Sequence, residues 1–122
     1  MNDDRFRVAG HKYEYEEPVA IAEVGVAAKV TWADAANSPE QTLWLPESLF
    51  LAIAQSTSLR HIDIYSQTLL DASDCATLEQ ELITLEAKAS DQDVQLAAKL
   101  LREKAHAVVT KRGRTNLLVE GP

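Results

Sequence analysis

A chain of 122 residues with 46% hydrophobic and 25% charged residues has the size and composition of one globular domain around a single core. Its net charge of −7 excludes nucleic acid or an anionic membrane surface as the expected main partner, since both demand surplus Lys/Arg. That charge is unevenly placed: residues 1–98 hold six Lys/Arg against 17 Asp/Glu, and residues 99–122 hold six against two. The apolar runs are far shorter than the ~20 residues of a membrane span. The start, Asn2-Asp3-Asp4, has neither the basic leader nor the apolar stretch of a signal peptide. With Cys75 as the single cysteine, no internal disulfide and no cysteine zinc site is expected, and a cytoplasmic protein is the simplest expectation.

Residues 5–15 are rich in aromatic and β-branched types and predict a first strand, with Phe6 and Val8 on one face and His11, Tyr13 and Tyr15 on the other after a bulge at Gly10. Glu16-Glu17-Pro18 reads as a turn. Val24, Val26, Ala28, Val30 and Trp32 then recur at period two, predicting a strand over 24–32 with that face inward and Glu23 opposite. Residues 34–41, with Asn37-Ser38-Pro39, read as a loop, and 42–45 as a third strand. Pro46 suits the first position of a helix reaching about Gln55, with Leu49, Phe50, Ile53 and Ala54 inward. Leu51 makes that helix apolar nearly all round, so burial on every side is expected.

Residues 61–66 alternate again, placing Ile62 and Ile64 opposite His61, Asp63 and Tyr65, and predict a fourth strand. Asp71-Ala72-Ser73-Asp74 is loop or cap chemistry ahead of a helix over 76–89 carrying Leu78, Leu82 and Leu85. Ser90 and Asp93 have capping-box spacing for a second helix over 91–111, with Val94, Ala98, Leu101, Ala105 and Val108 as its apolar stripe. Lys111 and Arg112 suit the negative end of that helix, and Gly113 ends it. A last strand is expected over 115–120. The order β-β-β-α-β-α-α-β predicts an α+β fold over 1–122, with a mainly antiparallel sheet (an N-terminal meander) packed on two to three helices.

Two groupings carry candidate chemistry. Tyr13, Glu14, Tyr15, Glu16 and Glu17 combine amphipathic rings with carboxylates, the pattern of a surface that steers and anchors a basic protein. His61, Asp63 and Tyr65, if on one strand face, bring together groups suited to general acid–base work. Cys75 beside Asp74 is a poor thiolate former and reads as a buried small residue. His11, His61 and His106 lie on three different elements without helical ligand spacing, and Gly10, Gly25, Gly113 and Gly121 build no phosphate loop, so no metal and no cofactor is expected. Lys99, Arg102, Lys104, His106, Lys111, Arg112 and Arg114 form a basic cluster without interleaved aromatics, a weak nucleic-acid footprint.

The expected function is a non-enzymatic protein-binding module, an acidic inhibitor of a basic partner such as an antitoxin or a toxin-immunity protein. The alternative is a small enzyme or ligand-binding domain working from His61, Asp63 and Tyr65. A homo-oligomeric subunit of a larger assembly is the third reading, which Trp32 or Trp44 exposed on an apolar patch would support.

Overall fold

A computed structural model describes residues 16–25, 42–63 and 65–121. They form strands β1 (Pro18–Gly25) and β2 (Thr42–Pro46), helix α1 (Glu47–Ala54), a 3-10 turn (Ser58–His61), strand β3 (Gln67–Leu70), helices α2 (Ala72–Lys88) and α3 (Gln92–Thr110), and strand β4 (Thr115–Glu120). The sheet is antiparallel throughout, in the order β2-β1-β4-β3. This is an α+β fold. The predicted strand at 5–15 and loop at 34–41 lie outside the described residues.

Strand register sorts the side chains by face. Val19 and Ile21 of β1, Leu43 and Leu45 of β2, Leu117 and Val119 of β4, and Leu70 of β3 share the face covered by the helices. Against them pack Leu49, Phe50 and Ile53 of α1, Cys75, Leu78 and Leu82 of α2, and Leu101, Ala105 and Val108 of α3. Small residues at Ala97, Ala98 and Ala105 let α3 approach its neighbours closely, and all three are fully buried.

The opposite face is buried too. Trp44, Ala20 and Glu120 stand in one row across β2, β1 and β4, with Thr42, Ala22 and Leu118 in the next. All but Glu120 are buried, whereas Leu69 on the same face of edge strand β3 is 50% exposed. Glu120 keeps one carboxylate oxygen buried without a hydrogen-bond partner, and burial raises its pKa above the ordinary 4.5.

Several expectations are corrected. Pro18, read as part of a turn, opens the first described strand, and Glu16 ahead of it is a bend. Pro18 pairs with Pro46 at the end of the ladder, where a missing N–H is tolerated. Its phase also differs: Glu23 falls on the helix-covered face and Val24 on the other, while most of 24–32 lies outside the described residues. Residues 61–63 are not a strand; the ladder begins at Gln67, so Leu69 and Leu70 belong to β3. Leu51 is 39% exposed, because the sheet and α3 cover only one side of α1.

Caps set the helix starts. α2 begins at Ala72 rather than near 76, since Asp71 caps it: the Asp74 N–H donates to Asp71 Oδ1 (2.8 Å) and the Asp71 N–H to Asp74 Oδ2 (3.2 Å). The cap of α3 is Asp91, not Ser90; its carboxylate accepts from the N–H groups of Asp93 and Val94. Between them Gln95 Nε2 donates to Ala89 O (2.5 Å), closing the three-residue helical hairpin. Gly113 at φ +88° follows Arg112 at φ +52°, and this left-handed pair reverses the chain into β4.

Replacing a leucine at the centre of this core leaves a cavity that the surrounding layers cannot fill. Leu82→Ala and Leu101→Ala are each expected to lower unfolding free energy by about 2–5 kcal/mol. Ile83→Ala, on the outer side of α2, should cost less than about 1 kcal/mol. Urea unfolding followed by circular dichroism separates the two classes.

Candidate functional site

The basic C-terminal segment is docked on carboxylates of its own domain. Arg102 Nε lies 2.5 Å from Glu86 Oε2 and His106 Nδ1 2.5 Å from Glu79 Oε2, so two turns of α3 are tied to α2. Lys111 does not serve the end of its own helix; its Nζ donates to Glu23 Oε1 (2.7 Å) on β1, and Thr115 Oγ1 donates to Glu23 Oε2 (2.7 Å). Burial pushes the Glu23 carboxyl up, but the bonds from Lys111 and Thr115 and the Lys111 charge outweigh it and hold the carboxyl below 4.5. Pairs this close to solvent contribute about 0–1 kcal/mol each, so their main consequence is directional. They consume cationic surface that a nucleic acid would need. Lys99, Arg112 and Arg114 remain exposed.

His61, Asp63 and Tyr65 do not share a strand face. His61 closes the 3-10 turn, Asp63 follows it, and Tyr65 sits in the next turn; all three are exposed. Local hydrogen bonds explain why alternation failed as a strand signal here. Asp63 Oδ1 accepts from the Tyr65 N–H (2.9 Å), and the Asp63 carbonyl accepts from Ser66 N–H (3.1 Å) and Ser66 Oγ (3.0 Å). Tyr65 turns its hydroxyl to Glu47 Oε1 (2.9 Å), and that bond with the Glu47 charge raises the phenol pKa above 10.0.

The turn lands instead beside the other predicted group. Glu16 accepts from both the N–H and the Oγ of Ser48 (2.8 Å each), supplying the side-chain cap that Pro46 cannot give α1. The Glu17 carbonyl accepts the Glu47 N–H (3.2 Å). Glu16, Glu17, Glu47, Asp63 and Tyr65 therefore meet at one end of α1. Tyr13, Glu14 and Tyr15 lie outside the described residues. Sequence reading missed Glu47 and Ser48; the available signal was a helix opening on Pro46 with no capping side chain of its own. Among the described residues none of these four carboxylates is ion-paired, and Tyr65 is 67% exposed beside them.

Other candidates resolve simply. Cys75 is fully buried, and burial together with Asp74, Asp71 and Glu23 pushes its thiol up to about 12, so it is no nucleophile at neutral pH. Trp44 is 6% exposed and offers no oligomer patch, while Trp32 lies outside the described residues. Among the described residues no cluster of His, Cys, Asp and Glu is arranged to hold a metal, and no helix is long and apolar enough to cross a membrane. Comparison with protein-family models, with curated proteins and with solved structures finds no match to this chain.

The two sheet carboxylates should respond to pH in opposite ways. Glu23 has a lowered folded pKa, so its stabilisation is complete above the ordinary value near 4.5 and disappears as pH falls through the folded value. Glu120 has a raised one, so its ionisation penalises the fold as pH rises and the penalty vanishes on acidification. Glu23→Gln should therefore destabilise at neutral pH and Glu120→Gln should stabilise, with both differences shrinking below about pH 4. Guanidinium unfolding of the wild type and both variants across a pH series measures this.

Proposed function

We propose that this chain is a non-enzymatic protein-binding module that receives a basic partner on the acidic end face of α1. One contrast carries the reading. Arg102, His106 and Lys111 are spent on the domain's own Glu86, Glu79 and Glu23, whereas Glu17, Glu47 and Asp63 have no ion partner among the described residues, and Glu47 and Asp63 both hydrogen-bond an exposed Tyr65.

Physical reasons connect that contrast to binding. Unpaired carboxylates grouped on one surface project a negative field that speeds encounter with a cationic protein and fades with salt. A tyrosine held by a hydrogen bond supplies large amphipathic area at small entropic cost, the property of an interface anchor. Glu16 has a different task, because its carboxylate is committed to Ser48. The mechanism is occlusion: the carboxylates pair with Lys/Arg of the partner and cover its cationic surface, as an antitoxin or toxin-immunity protein does.

The test is capture from a lysate of the source organism, comparing the wild type with a variant carrying Glu17→Gln, Glu47→Gln, Asp63→Asn and Tyr65→Ala. A basic protein retained at low salt, released at high salt and lost with the variant is the expected result. An empty eluate at low salt, or retention that the variant leaves intact, overturns the reading.

A further inference from the structure

A cleft of about 290 Å³ opens between the end of α1 and the C-terminal half of α2, lined by Ser56, Glu81, Thr84, Leu85, Lys88 and Ala89. It lies at the opposite end of α1 from the acidic face and does not depend on that reading. The sequence dictates its wall. Glu81, Leu85 and Lys88 stand at i, i+4 and i+7 on α2, so an anion, an apolar side chain and a cation follow one another along a single helix face. Glu81 and Lys88 are about 10 Å apart along the axis, beyond mutual contact, and no ion pair joins them.

Glu81 is held in place while remaining available. Its Oε1 accepts from the Ser58 N–H (3.0 Å) and from Ser58 Oγ (2.7 Å), which fixes the carboxylate at the cleft. Both bonds fall on one oxygen, leaving Oε2 for a further donor. Among the described residues Lys88 has no ion partner; Ser56 adds a hydroxyl to the lining, and Leu85 with Ala89 adds apolar surface. The volume sits at the lower edge of ligand sites, enough for a small metabolite and far too little for a dinucleotide.

We propose that this cleft binds a short zwitterion, its ammonium on Glu81, its carboxylate on Lys88 and its apolar middle on Leu85.

The probe is the dipeptide alanyl-leucine, titrated into the full chain and followed by amide chemical shifts. Movement centred on Ser56, Thr84, Leu85 and Ala89 with saturation in the millimolar range is expected. Alanyl-leucine blocked by acetylation and amidation should bind at least about tenfold more weakly, and so should the free dipeptide to Lys88→Gln. Lys88 is exposed, so that variant keeps the fold; Glu81→Gln retains an acceptor for Ser58 and serves as the second variant. No shifts with the free dipeptide, shifts centred elsewhere, or equal binding of the blocked form overturns the proposal.

Discussion

β4 is the last element in the chain, yet it occupies the middle of the sheet between β1 and β3. Every other layer depends on that insertion. Until residues 115–120 are placed, β3 has no ladder to join, and β1 pairs on one side only. The β1–β4 pairing joins residues 90 to 100 apart in the chain, so loop-closure entropy is charged before the contact is rewarded, and folding is expected to be slow for a domain of this size. α3 delivers the strand. Its buried stripe lays it across the sheet, the left-handed pair at Arg112 and Gly113 turns the chain, and Glu23 receives Lys111 and Thr115 from the two sides of that turn.

That arrangement gives the charge asymmetry a structural meaning. The basic C-terminal segment complements the acidic remainder within one molecule, at Glu23, Glu79 and Glu86. Net charge does not change by internal pairing, but its distribution does. Paired groups line the α2–α3 seam and the α3–β1 junction, while among the described residues Glu17, Glu47 and Asp63 near the start of α1 have no ion partner.

Much of the architecture was legible because long helices leave long patterns. The stripes of α2 and α3, the inward residues of α1 and the closing strand follow directly from apolar spacing. Errors arose where a pattern was short and local hydrogen bonds competed with it. His61-Ile62-Asp63 alternates like a strand, but Asp63 binds its own following backbone and makes turns instead. Glu23 was placed on the wrong face because period two fixes alternation and not phase; the phase was decided by Val19 and Ile21 facing the helices. The acidic end face was half visible, as two separate groups. What joins them, Tyr65 to Glu47 and Glu16 to Ser48, spans 18 and 32 residues, and no local rule reports contacts at that range.

Among the described residues most of β2, β1 and β4 is buried on both faces, and the exposed surface falls on helix outer faces, element ends and edge strand β3. α1 then becomes the organising element, because its two ends carry different chemistry about 12 Å apart. At its start Glu47 and Ser48 meet Tyr65 and Glu16; beyond its end Ser56 lines the cleft and Ser58 holds Glu81. Leu49, Phe50, Ile53 and Ala54 seat the helix in the core, and Thr57, fully buried, donates to Ile53 O while accepting from Leu59 N–H. Those buried contacts and the Thr57 bonds fix both the body and the exit of α1 in the core, so the groups at its two ends are positioned by packing rather than by loop contacts.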